Sequence, residues 1–395
     1  MNILSLVKRK KLLFAEDMQN FAGELSETLK KTRILVIGGG GTIGQATVKE
    51  ICKYEPKAIH VVDLSENNLV ELIRDLRSSL GAYNIDLQTF AIDSNSQEFT
   101  QLIKSEKNYD YVFNLSALKH VRNEQNTYTL MRMLNVNIFN SLKMAQISKL
   151  LGAKKYFCVS TDKASAPINL MGASKRIMEF FLLRESNEQT ISMARFANVA
   201  FSDGSLLHGF FQRINKLQPI SAPFDILRYF LTTEEAGQLC LMSSVLGKNR
   251  DIFFPKLNQD LNMTTFTEIA RSFIRQMGYE PFVCETEQEA REQINELRSK
   301  KKWPCYFFDS DTTGEKQYEE FFEKEEDVDF NKFSDIGVIT NTFKVDLKNL
   351  EDFEINYKKL RLKESWNKKE ILELIDLVLP NFKHHETGKY LNQRM

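Results

Sequence analysis

The segment Gly38-Gly39-Gly40-Gly41-Thr42-Ile43-Gly44 follows the β-rich run RILVI and leads directly into the helical stretch TIGQATVKEICKY. No other feature narrows the fold as sharply. Read as G-x-x-G-x-x-G, Gly38 makes a tight turn, Gly41 lets the backbone approach a pyrophosphate, and Gly44 lets helix and strand pack closely. Thr42 and Ile43 then open a helix whose N-terminus faces the anion. An acid, Asp63, ends the next strand about 20 residues past Gly44, where a ribose hydroxyl acceptor is expected. Asp63 would repel a 2′-phosphate and its neighbours Leu64 and Ser65 bring no arginine, so NAD is expected rather than NADP. Asp93, at the end of the third strand, is open to two readings, a contact to the adenine edge or a cap for the following helix.

From Arg33 onward apolar β-rich runs alternate with helical stretches: RILVIGG, TIGQATVKEICKY, AIHVVDL, ENNLVELIRDLRSSL, LQTFAI, YVFNLSA and KKYFCVS. Strands that are continuously apolar and separated by helices predict a parallel sheet covered on both faces, the doubly wound α/β class. Two capping-box patterns, Thr232 with Glu235 and Thr265 with Glu268, place helix starts near 233 and 266. At 395 residues the chain divides into a helical extension over 1–31, a dinucleotide-binding domain with the catalytic residues over 32–200, a smaller substrate-binding region over 201–340, and an extension over 341–395.

Lysine plus arginine and aspartate plus glutamate each number 53, so the basic excess that nucleic-acid binding needs is missing. Five cysteines (Cys52, Cys158, Cys240, Cys284, Cys305) form an odd set without metal spacing, which points to reduced thiols and no structural metal. No apolar run reaches about 18 residues, so no integral membrane segment and a cytoplasmic location are expected. The basic cluster Lys8-Arg9-Lys10-Lys11 precedes a helical stretch that packs on the body or a sister subunit, or else docks on a membrane surface. Glu315 to Asp329 carries eight acidic residues and two basic ones, the pattern of a solvated surface.

A second constellation combines Ser160-Thr161-Asp162-Lys163 with Met171-Gly172-Ala173-Ser174-Lys175. The first group ends the strand KYFCVS, and ligands of open α/β sheets lie at the carboxyl ends of strands. Lys175 follows Met171 by one helical turn, so both share a face. In short-chain dehydrogenases these positions hold a Tyr-x-x-x-Lys pair. Methionine cannot accept a proton from a hydroxyl. Thr161, Asp162 and Lys163 supply a hydroxyl, a carboxyl and an amine instead, enough for acid and base work at two adjacent carbons.

Together with Ser116-Ala117-Leu118-Lys119-His120-Val121, Arg195-Phe196-Ala197-Asn198-Val199 and Arg228-Tyr229-Phe230, these motifs resemble the nucleotide-sugar 4,6-dehydratases of bacterial polysaccharide synthesis and flagellin glycosylation. The resemblance covers roughly 33 to 250 and implies a Rossmann fold of the extended short-chain dehydrogenase/reductase type. It also implies tightly held NAD, a UDP-N-acetylglucosamine substrate and a 4-keto-6-deoxy product. Ser116 and Lys175 become cofactor contacts. Thr161 with Lys175 routes the C4 hydroxyl proton, Lys163 is the base at C5, and Asp162 is the acid at the C6 hydroxyl. Lys119, Asn198 and Arg228 become substrate contacts, Arg228 through the two oxygens a guanidinium can grip at once, although each is open to a plain packing role. His120 reads as a structural histidine. In this family methionine in place of tyrosine goes with retention at C5 and with membrane anchors, so Met171 favours retention although no membrane segment is seen. Family members pair through the helices that correspond to about 126–151 and to the one after Met171, so a homo-oligomer is expected. A nucleotide-sugar 4-epimerase or 4-ketoreductase would use the same cofactor site but would want the tyrosine, and a non-catalytic NAD-binding regulator would have no use for Thr161, Asp162 and Lys163.

Overall fold

A computed structural model describes residues 1–81, 84–106, 108–256, 263–316, 318–340 and 346–390. The five β-rich runs expected from the sequence form β1 (Arg33–Ile37), β2 (Ala58–Asp63), β3 (Asp86–Ala91), β4 (Tyr111–Asn114) and β5 (Lys155–Thr161), and a sixth strand, β6 (Ile191–Phe196), follows them. They lie parallel in the order β3-β2-β1-β4-β5-β6, reversing direction of growth at β1, so a crevice opens above the carboxyl ends of β1 and β4. The inner strands are buried along nearly their whole length, as continuously apolar strands between two helix layers must be. Only β3, at the edge, exposes much of its length.

The sheet does not stop at residue 200. Asp251–Pro255 adds a seventh parallel strand beside β6, and Ile336–Thr340 and Val328–Asp329 extend it antiparallel. Residues 201–340 therefore supply both strands to the main sheet and a separate smaller core that holds Phe210, Ile220, Phe273 and Trp303. The two capping boxes stand where the sequence puts them, at the starts of helices Thr233–Leu246 and Phe266–Gln276. Helix 233–246 crosses helix Thr42–Cys52 at close range, since a Cβ on Gly237 would lie 2.6 Å from the Ala46 carbonyl oxygen.

Residues 1–31 pack on the body. Leu6 and Val7 enter the smaller core. Arg9 grips both oxygens of Glu235 at 2.5 and 2.6 Å, and the Asp17 carboxylate accepts from the amides of Ser334 and Asp335 at 2.6 and 2.8 Å. Among the described residues no helix is long and apolar enough to cross a membrane.

The stretch 127–150 is one long helix, with a π-helical segment at Asn135–Asn140. That segment turns Asn137 inward, where its amide bonds both backbone groups of Leu118 and the Ser174 hydroxyl. Helix Leu170–Glu185 is buried from Leu170 through Leu183. The chain's own helix Leu347–Arg361 covers it: Phe353 and Tyr357 stack on Phe139, and Phe353 packs on Phe181. Part of the surface that was expected to pair two subunits, around Phe139 and Phe181, is thus covered by the chain's own helix.

Candidate active site

The glycine-rich turn makes the tight turn and the close helix–strand packing expected of Gly38 and Gly44. Gly38 has φ +79° and donates to the Val62 carbonyl at 2.8 Å; a Cβ there would lie 2.6 Å from the Ser116 amide nitrogen. A Cβ on Gly44 would lie 2.2 Å from the Gly38 carbonyl oxygen, whereas one on Gly41 would meet nothing nearer than 3.7 Å. So Gly38 and Gly44 are required by the fold itself, whereas the fold leaves room for a side chain at Gly41. Helix 42–52 begins there without a side-chain cap, leaving its first amides to a ligand. Asp63 sits beneath, its carboxylate accepting from the amides of Gly40 and Ser65, both at 2.9 Å. These residues fit a dinucleotide: uncapped amides for the pyrophosphate and an acid at the end of β2 for a ribose.

Around them, the Thr42 hydroxyl accepts from the Asp203 amide at 3.0 Å, and Ile43 packs against the main core. The Ser116 hydroxyl donates to Asn114 at 2.6 Å. Asp93 is exposed and accepts from the Asn95 amide at 2.9 Å, while Ser96 caps the following helix, so the capping role expected for Asp93 falls to Ser96. Gly44→Ala should push helix 42–52 off β1, because its new contacts are backbone atoms; we expect about 1–3 kcal/mol of destabilisation by thermal melting and a matching loss of bound cofactor.

At the end of β5, Thr161, Asp162 and Lys163 form one hydrogen-bonded unit. Asp162 Oδ1 accepts from the Thr161 hydroxyl at 2.8 Å, from the Lys163 amide at 2.9 Å and from Lys163 Nζ at 3.2 Å. Glu319 Oε1 lies 3.4 Å from the same amine. Burial works against a charged Lys163, but Asp162 and Glu319 outweigh it and hold the amine protonated above the usual lysine range. Lys175 is the opposite case. Its Nζ donates to the Val159 carbonyl at 3.0 Å, and burial pushes its pKa down.

The helix that carries Lys175 lies close against the Lys163 turn because residue 172 is glycine; a Cβ would be 2.3 Å from the Lys163 carbonyl oxygen. Asn169 caps that helix. Met171 is buried, and its amide donates to Glu124 at 3.0 Å, a carboxylate shared with His384 Nε2 at 2.9 Å. Residue 171 therefore offers no proton-transfer group, as expected from the sequence.

Arg228 reaches the same end of the sheet, but its guanidinium is paired with Glu315 and donates to the Lys316 carbonyl at 2.8 Å. A cavity of about 600 Å³ opens beside it, lined in part by Asp225, Thr312, Lys316 and Lys389. Asn198 is half-buried in a two-residue strand that pairs with Phe230, two positions from Arg228. Lys119 is exposed and its Nζ donates to Ser202 at 3.3 Å. The His120 ring lies against Gly204; burial and the Lys119 and Arg122 charges push its pKa down to about 4, which suits a neutral structural imidazole.

The acidic stretch at 315–329 is only in part the solvated surface its composition suggests: Glu320, Glu325 and Asp327 are exposed, but others pair inward. Glu315 pairs with Arg228, Glu319 with Lys163, Glu323 with Arg176, and Glu326 with Arg176 and Arg195. These four acids neutralise cations held in the turn after β5, on β6, on helix 170–185 and on the strand Leu227–Leu231, a need invisible in the stretch itself. Glu179 completes this cluster, accepting from Arg195 at 2.7 Å and from the Ser160 hydroxyl at 2.6 Å. Glu319, Glu326, Glu179 and Asn137 adjoin the candidate site without having been disclosed by the sequence; for Glu319 and Glu326 the acid density of 315–329 was the available signal.

A family model described as polysaccharide biosynthesis protein matches residues 34–341. An uncharacterized membrane protein of Methanocaldococcus jannaschii is 29% identical over 80% of this chain and 88% of its own length. A UDP-glucose 4-epimerase of Rickettsia bellii is 28% identical over 56% of this chain, and an inverting UDP-N-acetylglucosamine 4,6-dehydratase of Campylobacter jejuni is 27% identical over 57%. The chain spans just under two thirds of each of these two, 65% and 66%. Among solved structures, Pen from Bacillus thuringiensis superposes with a TM-score of 0.64 at 21% identity, over 84% of this chain and 98% of that one.

Proposed function

The chain belongs to the polysaccharide biosynthesis protein family, and from that premise we propose that it catalyses 4,6-dehydration of a nucleotide-activated N-acetylhexosamine, UDP-N-acetylglucosamine above all, for surface polysaccharide or glycoprotein sugars. The observation that carries this reading is the Thr161–Asp162–Lys163 unit at the crevice, built on one shared carboxylate oxygen. An epimerase needs one proton route at C4. Dehydration needs that route plus a base at C5 and an acid at the C6 hydroxyl, and three adjacent groups meet that demand.

Gly41, the amides that open helix 42–52 and Asp63 would hold the dinucleotide, with Ser116 and Lys175 nearby. When bound, NAD supplies a hydride acceptor that is restored within each turnover. The chain's own residues move the protons. Thr161 passes the C4 hydroxyl proton to Asp162 along their 2.8 Å hydrogen bond. Lys163 removes the C5 proton, which the C4 carbonyl has made acidic. Asp162 then protonates the departing C6 hydroxyl, so the proton lost from C4 leaves in the water. Lys163 finally returns its proton to C5, on the same face for the retention that Met171 favours. Arg228 and Asn198 would engage the diphosphate once Glu315 yields.

Substrate carrying deuterium at C4 should give a product with deuterium at C6. Return of the label to C4 in a sugar that keeps all its oxygens would mean epimerisation. Cofactor choice is a separate expectation: stripped enzyme should regain activity with NAD and far less with NADP, and Asp63→Ala should weaken NAD retention.

A further inference from the structure

We propose that Glu319 is a positioning residue of the dehydration step, the internal proton acceptor that converts Lys163 from an ammonium into the neutral amine able to act as base. The inference rests on the dehydratase reading above and extends it to a residue far from both recognised motifs.

The geometry is specific. Lys163 Nζ sits between two carboxylates, 3.2 Å from Asp162 Oδ1 and 3.4 Å from Glu319 Oε1. Asp162 is already committed, since the same oxygen accepts from the Thr161 hydroxyl and the Lys163 amide. Glu319 is different. It is 5% exposed, and its Oε2 is buried with no hydrogen-bond partner among the described residues; Lys316 Nζ stands 3.9 Å from that oxygen, beyond hydrogen-bond reach. A buried carboxylate oxygen without a donor carries a desolvation penalty that protonation would relieve. Burial accordingly pushes the Glu319 carboxyl up, against the pull of Lys163, Arg228 and Lys316, with Asp162 adding to the rise. Facing the Lys163 amine are Asp162, Glu319 and Glu315, which favour its charge, and Arg228, which opposes it.

The placement is held from outside the pair. Phe321, two residues on, is buried and packs on Tyr229 and Phe254, and its carbonyl accepts from Arg195 at 2.7 Å. Glu326 is locked onto Arg195 and Arg176. Glu319 thus meets Lys163 through a rigidly anchored segment.

The step balances within the pair. The Lys163 ammonium gives one proton to Glu319, leaving a neutral amine and a neutral carboxylic acid. The amine takes the C5 proton and the C5–H electron pair passes into the enolate of the C4 ketone. The ammonium so formed carries two further hydrogens that have equilibrated with solvent; once it returns any one of the three to C5, the carboxyl proton passes back to the amine, and neither residue changes over the cycle.

The test is the pH dependence of C5 exchange with solvent deuterium. In the wild type the proton moves inside the pair, so the rate should be flat through the neutral range. In Glu319→Gln it must leave to solvent, so the rate should fall about tenfold for each pH unit below the lysine's own midpoint. Glu319→Asp, which keeps the acceptor, should restore the flat profile. A Gln variant slowed equally at every pH, or not slowed at all, would overturn the proposal.

A second readout needs no turnover. Lys163, followed by NMR with lysine-selective nitrogen labelling, should titrate about one to three units lower in Glu319→Gln than in the wild type. Equal midpoints would also overturn the pairing. Absence of C5 exchange in the wild type would sink the dehydratase reading instead, and the lysine titration would still decide whether the two residues share a proton.

Discussion

Lys163→Ala should stop dehydration while leaving oxidation at C4 intact. The amine is the only group of the Thr161–Asp162–Lys163 unit free to act as base at C5, because the Asp162 oxygen that binds it also serves the Thr161 proton route. Removing a general base costs about 10²–10⁴-fold, so turnover should drop by at least about 100-fold. Absorbance of the reduced cofactor should build up on the enzyme, with no dehydrated sugar and no deuterium entering at C5. Lys175→Ala should behave differently. That amine is buried beneath the helix at the Val159 carbonyl, on the side of the crevice assigned to the cofactor, and its loss should prevent any reduced cofactor from forming. If both variants lose cofactor reduction equally, the two lysines serve one step and this division fails.

The largest stability effect should come from Arg195→Met. Arg195 is fully buried and donates to Glu179 and Glu326 through four hydrogen bonds of 2.7 to 2.9 Å. Without it, Arg176 alone faces two buried carboxylates, and an uncompensated buried charge costs about 3–5 kcal/mol. The pH dependence identifies the cause. Burial pushes Glu326 up, but Arg195 and Arg176 reverse this and hold its pKa at about 2, below the ordinary 4.5. A carboxylate so depressed contributes stability in full above its unfolded value and loses it as the pH falls through the folded one. Wild type and variant should therefore differ most at neutral pH in denaturant melts and converge between pH 4.5 and about 2. A gap that stays constant with pH would assign the loss to packing rather than to charge.

What the sequence disclosed follows from how local each signal is. The glycine turn, the acid at Asp63 and the two capping boxes each reside in a few consecutive residues, and each stands where it was expected. The strands β1, β2, β4 and β5 were legible because burial on both faces leaves continuous apolar runs, and β3 was read from its β-rich composition although it lies partly exposed at the edge. Asp251–Pro255 and Ile336–Thr340 escaped because they join the sheet from distant parts of the chain, the second antiparallel, outside the βα rhythm. The acidic stretch was misleading for a related reason: its partners Lys163, Arg176, Arg195 and Arg228 are scattered over three elements and one turn, and charge density alone does not tell a solvated face from one that neutralises buried cations. Helix 170–185 hid its covering partner likewise, since helix 347–361 lies more than a hundred residues on.

The central claim is that Thr161, Asp162 and Lys163 remove water from a nucleotide sugar with no net oxidation. Incubating the purified chain with UDP-N-acetylglucosamine, with no added reductant, and following the sugar by mass spectrometry and NMR tests it most directly. The account predicts a product lighter by one water, with a carbonyl at C4 and a methyl group at C6. A product of unchanged mass with inverted C4, or a sugar that comes back untouched from cofactor-loaded enzyme, would contradict it.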